Sequence, residues 1–397
     1  MKFILLHHRL GGYSSHHFNE SIGMRQELER RGHDFLLLVR RNAVPEIVKE
    51  LRARAVLDED PTFRLEWSFA ERTRRFVELL HARVDRVVRE DDVVMITIAT
   101  QVEAHAAAHW LRSLRRKPFV VVTFLSDRWN RAGQEEHERQ AAEFREVART
   151  LATLSPDDAN RMLFTAVTEP LAAELGQLLG TPFLFTPMLQ RYGTLPVVER
   201  SAIPRAGILG GTRREKGSHR IPDVIRACRD VVAVEFVVQL TNDNLSVDDR
   251  SQLAAIAGLP GVVVLPDALP LEEYETTLAR LDVLLFPYEE IPYRQRTSGV
   301  FGEAVAHGIP VVVTPGTWLA QQIEEGRAAG VVADDHSAEA MARAIARAVR
   351  ELEALRGLAA SLRDAWRKDV SITAYLDIIE AELARRKPPR PRRRWWW

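Results

Sequence analysis

The sequence predicts an α/β protein built from two doubly wound, Rossmann-like parallel-sheet domains. Short apolar runs alternate with longer amphipathic segments through both halves of the chain. This alternation is expected when each strand of a parallel sheet is buried on both faces and is followed by a helix. The pattern restarts near residue 205, after a stretch that contains prolines, and 397 residues are enough for two domains.

Composition and charge exclude several classes of protein. The apolar content of 46% and ordinary Gly and Pro contents are typical of a globular chain. The single Cys228 excludes an intramolecular disulfide and a cysteine-rich metal site, and it fits a reducing compartment. No stretch approaches the roughly 18 apolar residues of a membrane span, and the apolar start is too short for a signal peptide. We therefore expect a cytoplasmic protein.

The first half, residues 1–190, opens with a β-α-β unit. A buried strand at 3–6 leads to the glycine pair Gly11 and Gly12, which either brings backbone close to a ligand or simply forms a tight turn. The sequence then predicts a helix over 16–31, a strand over 35–39, an amphipathic helix with an irregular middle over 44–90, a strand over 93–98, a helix over 103–115, a strand over 119–124, a helix over 135–150 and helical stretches as far as 186.

Polar groups near the ends of these strands are candidate site residues. Asp127 lies in the polar loop after the strand at 119–124, at an edge where open α/β sheets bind ligands. His7, His8, His16 and His17 flank the glycine pair, where one could contact an acceptor and a capping or surface role is the alternative. His105 and His109 have i, i+4 spacing, but no acidic third ligand accompanies them, so we predict no metal site.

The second half repeats the strand and helix pattern after a predicted linker at 191–204. Residues 205–370 are predicted to form the second domain, with strands at 206–209, 234–240, 262–265, 283–286 and 311–313. Strongly periodic helices are predicted at 336–362 and 372–386, and a basic tail follows at 387–397.

The first motif of this half begins where Ser298 and Gly299 open a helix that ends at Gly308. It lies between a strand at 282–286 with its loop, and a strand at 309–313. The free N–H groups of a helix start and the positive end of its dipole suit a phosphate group. Glu303 lies about one turn further, where a carboxylate reaches sugar hydroxyls beside that phosphate. The alternative is that these are packing residues of an ordinary α/β domain.

The second motif is the glycine-rich loop at 210–217, which follows the strand at 206–209. Arg213, Arg214 and Lys216 bring three cations to its helix start. Fixed cations in a dry cleft stabilise the charge that develops on a diphosphate leaving group. A solvated cationic turn is the alternative, and the second candidate phosphate site in the same sheet argues against it.

The segment 298–312, SGVFGEAVAHGIPVV, resembles the donor-binding segment of nucleotide-sugar glycosyltransferases with the GT-B fold, in particular the retaining family 4. The resemblance implies two domains that face a cleft, a C-terminal helix that crosses back to the N-terminal domain, and ribose binding by Glu303. The loop at 210–217 resembles the family's Gly-Arg-x-x-x-Glu-Lys-Gly motif, which grips the diphosphate. Lys216 matches in register, whereas Gly211 stands at the arginine position, so Arg213 or Arg214 must substitute.

The chain departs from the family at two positions. Gln295 stands where the family carries a glutamate that holds the donor sugar, and Leu125 stands where it often carries a histidine. We take Gln295 and Asp127 as the candidate catalytic residues. The resemblance also implies that Arg294 or Arg296, in the loop before Ser298, contacts the donor, and that Gly11 and Gly12 lie near its phosphates.

The implied reaction moves a sugar from a nucleotide-diphosphate sugar to the hydroxyl of a glycan, a lipid-linked acceptor or a small molecule. The resemblance implies retention of configuration and no metal ion or cofactor. A nucleotide-sugar-binding protein without catalysis and a sugar-nucleotide epimerase are the alternatives.

The tail at 387–397 combines arginines with three tryptophans. Basic residues and tryptophans favour an anionic membrane surface, here the inner face of the cell membrane. Nucleic-acid contact by stacking is a weaker alternative that we do not expect, and a solubilising tail is the third.

Overall fold

Two wholly parallel sheets, one in each half of the chain, form the framework. The computed structural model describes residues 1–11, 16–58, 60–126, 134–240, 254–265 and 269–387. The N-terminal sheet has seven strands in the order β3-β2-β1-β4-β5-β6-β7, and the C-terminal sheet has six in the order β10-β9-β8-β11-β12-β13. The predicted fold class is therefore confirmed.

The N-terminal sheet reverses its strand order at β1, which pairs with both β2 and β4. Apolar clusters cover both of its faces. Its strands are β1 Lys2–His7, β2 Asp34–Arg40, β3 Arg54–Leu57, β4 Val93–Ile96, β5 Phe119–Phe124, β6 Met162–Ala166 and β7 Phe183–Phe185. Its helices are α1 His16–Arg30, α2 Pro45–Glu50, α3 Phe69–Arg83, α4 Gln101–Ser113, α5 Gln134–Ala152, α6 Pro156–Arg161 and α7 Glu169–Leu179.

The C-terminal sheet likewise reverses its order at β8, which pairs with β9 and β11. Its strands are β8 Arg205–Ile208, β9 Glu235–Gln239, β10 Val262–Leu265, β11 Val283–Phe286, β12 Val311–Val313 and β13 Gly330–Val332. The helices of this half are α8 Ile221–Cys228, α9 Leu271–Ala279, α10 Glu290–Tyr293, α11 Gly299–Ala306, α12 Trp318–Glu324, α13 Ala338–Arg350, α14 Leu352–Asp369 and α15 Ile372–Arg386.

Several sequence-based element predictions are wrong. Strand β3 lies inside the region predicted as helix over 44–90, and β6 and β7 lie in the stretch predicted as helical up to 186. Strand β13 was not predicted, and the single helix predicted over 336–362 is two helices, α13 and α14. The missed strands are three to five residues long, and runs that short carry too little periodicity to be distinguished from helix.

The last helix, α15, returns to the N-terminal domain, as the resemblance implies. Its Tyr375 is fully buried, and the hydroxyl lies 3.1 Å from Thr123 Oγ1 on β5. Glu380 forms an ion pair with Arg31 at 2.8 Å and contacts His33 Nε2 at 3.0 Å. Among the described residues, no helix has both the length and the apolar character needed to cross a lipid bilayer.

The linker between the domains, residues 186–204, has no helix or strand and packs against α11. Gln190 Nε2 donates to the Gly299 carbonyl at 2.7 Å, and the Tyr192 hydroxyl donates to Gln190 Oε1 at 2.7 Å. A Cβ atom on Gly302 would lie 2.0 Å from Gln190 Oε1. The glycine at 302 therefore makes room for the linker, and α11 is held by the chain that connects the two domains.

We expect Gly302→Ala to lower the free energy of unfolding by about 1–3 kcal/mol, because the new methyl group displaces a buried, hydrogen-bonded side chain. Gly357→Ala in α14 is the control, since a Cβ there meets nothing within 4 Å. Its effect should be neutral or slightly stabilising. Chemical denaturation of both variants measures the difference, and Gln190→Ala should recover part of the loss in the Gly302→Ala background. Equal stability of the two glycine variants would contradict this account of the linker.

Candidate functional site

The glycine-rich loop after β8 lies directly against the start of α11. Gly210 has a positive φ of 93°, a conformation that favours glycine, and its N–H donates to Gln239 Oε1 at 2.8 Å. A Cβ atom on Gly210 would lie 3.1 Å from Val300 Cγ2 and 3.4 Å from Lys216 Nζ. The loop, its lysine and the first turn of α11 thus share one small space.

The other end of this loop packs against the segment after β11. Gly217 has a positive φ of 72°, and a Cβ atom there would lie 1.9 Å from the Pro287 carbonyl oxygen. The Glu289 N–H donates to the Glu215 carbonyl at 3.0 Å. Since β8 and β11 are neighbours in the sheet, the two motifs meet at one carboxyl edge.

Ser298 caps the start of α11. Its Oγ accepts from the Phe301 N–H at 3.4 Å and lies 3.2 Å from the Tyr288 hydroxyl. Lys216 Nζ lies 5.7 Å from the centroid of the Tyr288 ring. The first N–H groups of a helix have no partner within the helix, and its dipole is positive there. A cation and a helix start therefore face the same pocket.

Glu303 lies one turn further along α11, and the Tyr274 hydroxyl of α9 donates a hydrogen bond to its carboxylate. Burial raises the pKa of Glu303 to about 7, although the bond from Tyr274 and the charge of Lys216 act to lower it. Burial, together with Arg213, lowers the pKa of Lys216 to about 8. Both shifts show that this pocket disfavours charge until a ligand compensates it.

Two arginines share one carboxylate beside Lys216. Arg213 Nη1 and Arg296 Nη1 each lie 3.7 Å from Glu215 Oε1. The side chain of Arg213 is 39% exposed and that of Arg296 is 19% exposed. Arg213 is therefore open to a ligand, and Arg296 belongs to the same cationic group.

The two other arginines named from the sequence lie further out. Arg214 is exposed. Arg294 follows α10, and its side chain is 61% exposed and paired with Glu290 at 2.8 Å. Within this loop, the geometry favours Arg296 over Arg294 as the residue nearest to the pocket.

Gln295 lies at the contact between the two domains. Its side-chain Nε2 donates to the Glu174 carboxylate of α7, and its backbone carbonyl accepts from Thr168 Oγ1 at 2.8 Å. Leu125 comes directly after β5, the strand beside β6, and Thr168 lies in the loop that follows β6. Gln295 therefore contacts the loop after β6, and Leu125 follows the neighbouring strand β5.

The remaining candidates lie in the N-terminal domain. Gly11 is half-buried, and its carbonyl accepts from the Val44 N–H at 3.1 Å. Gly12 and Asp127 lie outside the described residues, as does the tail from residue 388 onward. His105 Nε2 lies 3.0 Å from His109 Nε2 and 2.9 Å from Thr150 Oγ1, so this pair is part of a hydrogen-bonded helix contact.

Sequence reasoning missed Tyr274, Tyr288 and Glu174. Tyr288 lies two residues after the end of β11, in the loop that leads to Ser298, so its position was a usable signal. Tyr274 and Glu174 lie on helices that carry no motif, and only the fold brings them to Glu303 and Gln295.

Comparison with known proteins agrees with this geometry. Residues 205–351, which include both loops and α11, match the family described as Glycosyl transferases group 1. The matched segment lies within the C-terminal domain and contains Lys216, Ser298 and Glu303. No curated protein sequence gives a significant match to the chain.

Solved structures extend the similarity to the whole fold of the chain. A glycosyltransferase from Rickettsia africae superposes with a TM-score of 0.67 at 10% identity, over 97% of this chain and 98% of that one. Anabaena HepE, solved with UDP and glucose, gives 0.65 at 15% identity, over 97% and 99%. An enzyme of Listeria monocytogenes described as a putative UDP-N-acetylglucosamine 2-epimerase gives 0.58 at 15% identity, over 96% and 95%. At these identities the similarity establishes the fold, which is GT-B.

The two pKa values predict a bell-shaped pH dependence for nucleoside diphosphate binding. Glu303 gains its charge as pH rises through about 7, and Lys216 loses its charge as pH rises through about 8. Affinity should therefore be highest between these values and fall on both sides. Isothermal titration calorimetry at several pH values measures this affinity. We expect Lys216→Arg to keep its affinity at high pH, because the guanidinium group stays protonated. A flat profile from pH 6 to 9 would show that neither group controls binding.

Proposed function

We propose that this protein is a retaining glycosyltransferase that moves a sugar from a nucleotide-diphosphate donor to an acceptor hydroxyl without a metal ion. The observation that carries this proposal is the shared pocket of Lys216, Glu303 and the start of α11. A diphosphate needs cations and N–H donors, and a ribose needs a hydrogen-bond acceptor beside them. The pocket offers each of these groups at one edge of the sheet.

Two comparisons support the choice of ligand. The matched family is one of glycosyl transferases, and its matched segment contains the pocket. The HepE structure, which shares this fold, holds UDP and glucose. We infer that this chain binds a nucleoside-diphosphate sugar in the corresponding cleft, with the nucleotide on the C-terminal domain.

In this proposal Glu303 accepts hydrogen bonds from the ribose hydroxyls, and Tyr274 holds its carboxylate in position. Lys216, Arg213 and the first N–H groups of α11 bind the diphosphate. A bound diphosphate raises the pKa of Lys216 from its depressed value of about 8, so binding stabilises the charge that burial disfavours.

Bond cleavage places negative charge on the diphosphate oxygen while the anomeric carbon gains oxocarbenium character. Lys216 is fixed in a pocket with limited access to water, where its charge acts strongly on that oxygen. Arg213 and Arg296 add positive charge around Glu215. These side chains take the role that a divalent cation has in metal-dependent transfer, and for this reason we propose metal-independent chemistry.

Gln295 is proposed to hold the donor sugar. Because Nε2 donates to Glu174, the amide is oriented with Oε1 on its other side. Oε1 is buried and has no hydrogen-bond partner among the described residues. A sugar hydroxyl donating to Oε1 would satisfy it, so the interdomain bond to Glu174 sets which atom of Gln295 faces the sugar.

A nucleotide-sugar-binding protein without turnover is the second candidate. The observation that favours it is the replacement of two reactive side chains of the family by Gln295 and Leu125 at the same cleft. A sugar-nucleotide epimerase is a third reading, supported by the fold shared with the Listeria enzyme. Product analysis separates the three outcomes: a transferred sugar, an unchanged donor or an epimerised donor.

The activity test begins with a thermal-shift panel of nucleotide sugars, because a ligand that binds only the folded state raises the melting temperature. The donor found in this way is then incubated with the full chain. We expect release of the nucleoside diphosphate, an unchanged anomeric configuration in the product by NMR, and activity after treatment with a chelator.

Glu303→Ala and Lys216→Ala should each lower kcat/KM by about 100-fold or more, since each removes a charged contact from a dry site. Arg294→Ala is the matched control and should change it little. Full turnover in both pocket variants would rule out this site.

We further propose that residues 387–397 dock on an anionic membrane surface, where a lipid-linked acceptor is available. Each basic residue contributes about 1 kcal/mol near an anionic leaflet, and tryptophans favour the headgroup region. Co-sedimentation of the full chain and of a chain that ends at residue 386 with phosphatidylserine vesicles tests this. Binding by the full chain alone, lost at high salt, is expected, and equal binding by both chains would exclude the tail as the anchor.

A further inference from the structure

Two clusters of histidines and carboxylates lie back to back at the carboxyl end of β1, in the domain that does not hold the donor pocket. His7 and His8 are consecutive, so strand alternation sends their side chains to opposite faces of the sheet. His7 faces Glu20 and His17 of α1, whereas His8 faces Asp60 and Glu103. Both histidines are buried, with 2% and 3% exposed, so the surface role considered from the sequence does not apply to them.

The His8 cluster contains its own counter-charge. His8 Nε2 lies 3.2 Å from Glu103 Oε1 and 3.3 Å from Asp60 Oδ2. Arg9 Nη2 lies 3.5 Å from the same Glu103 oxygen. A guanidinium thus compensates the two carboxylates, and this cluster is an internal ion-pair network.

In the His7 cluster, Glu20 forms no ion pair with a lysine or arginine among the described residues. Glu20 is 3% exposed, and its closest ionic contact is His7 Nε2 at 3.8 Å, which is too long for a hydrogen bond. Glu20 Oε1 and His7 Nε2 have no hydrogen-bond partner in the part of the chain that the structure describes. Burying a carboxylate without a compensating partner is costly, so the site requires something that pairs with it.

We propose that His7, His17 and Glu20 bind one divalent transition-metal ion of the zinc type. One ligand atom from each of the three lies within 4.8 Å of the others. Ligands about 2.1 Å from a tetrahedral zinc lie about 3.4 Å apart, so the ligand atoms need to approach one another by at most about 1.4 Å. The His7 and His17 rings already meet edge to face, with centroids 4.8 Å apart.

The donor set selects the class of metal. Two imidazoles with one carboxylate suit Zn²⁺ and its neighbours in the first transition row, whereas Mg²⁺ and Ca²⁺ prefer sites built from oxygen ligands. His17 and Glu20 are three residues apart on α1, so they project from one face of the helix toward His7 on the strand. A bound ion would therefore fix the first turn of α1 against β1 and keep one coordination position for water or another ligand.

This site is separate from the donor pocket, because Lys216 and Glu303 belong to the C-terminal domain. It departs from the sequence-based expectation of no metal, which weighed only the His105 and His109 pair as ligands. The side-chain directions that assemble the site depend on the pairing of α1 with β1, which the sequence alone does not show. The proposed ion is structural, and it takes no part in binding the diphosphate or in the transfer step.

The test uses the untagged full chain, stripped with a chelator, dialysed and titrated with Co²⁺ and then with Zn²⁺. We expect one equivalent of bound metal by mass spectrometry and visible d–d absorption of tetrahedral Co²⁺ that Zn²⁺ abolishes. Glu20→Gln and His17→Ala should each weaken Zn²⁺ binding by about 10-fold or more, because each removes a ligand. Zn²⁺ should raise the melting temperature of the wild-type chain and leave that of His17→Ala unchanged.

His109→Ala is the matched control, because it removes a histidine from the other histidine pair and leaves the proposed ligands intact. It should bind Zn²⁺ as the wild-type chain does. The proposal is overturned if the wild-type chain takes up no stoichiometric metal, if the Glu20 and His17 variants bind as tightly as wild type, or if His109→Ala alone abolishes binding. Circular dichroism confirms that each variant is folded before titration.

Discussion

The contact between the glycine-rich loop after β8 and the first turn of α11 is the constraint on which the site depends. Gly210 has a conformation that other residues rarely adopt, and it lies too close to Val300 and Lys216 for a larger side chain. Gly217 also has a positive φ, and a Cβ atom there would clash with the Pro287 carbonyl. These two glycines bring a lysine from one strand end against a helix start from the next, and the partly buried charges that result have shifted pKa values.

Helix α11 also packs against the linker between the domains. Gln190 of the linker fills the space beside Gly302 and bonds to the Gly299 carbonyl, and Trp366 of α14 donates to Tyr192 at 3.2 Å. Helix α15 then anchors the chain on the N-terminal domain through Tyr375. The helix that carries Glu303 is therefore in direct contact with the linker that joins the two domains.

The sequence was sufficient to predict the alternating strands and helices that both domains share. Both opening β-α-β units were predicted from runs long enough to show periodicity. The two loops were predicted from their motifs, and the return of the last helix was implied by the family resemblance. Strands β3, β6, β7 and β13 were missed because they are short, and β3 lies at the edge of its sheet. Among the site residues, Lys216 and Glu303 were predicted from their motifs and lie together. Tyr274 and Glu174 were not, because their roles arise only from tertiary contact.

The sequence also does not show why a given position requires glycine. The sequence assigned Gly299 to phosphate binding, yet a Cβ atom there would contact Met188 and Gln190 at 3.3 and 3.4 Å. Packing against the linker is therefore a sufficient reason for glycine at this position, whether or not a phosphate binds to the neighbouring N–H groups. A motif shows that a side chain is excluded, and only the structure shows what excludes it.

The central claim is that Glu303 contacts the nucleoside and Lys216 contacts the diphosphate within one pocket. Calorimetric affinities of a nucleoside and of its diphosphate, measured for wild type, Glu303→Gln and Lys216→Met, separate these two contacts. The account predicts that Glu303→Gln weakens both ligands, whereas Lys216→Met weakens only the diphosphate. Equal loss of both ligands in Lys216→Met, or no loss of the nucleoside in Glu303→Gln, would contradict it.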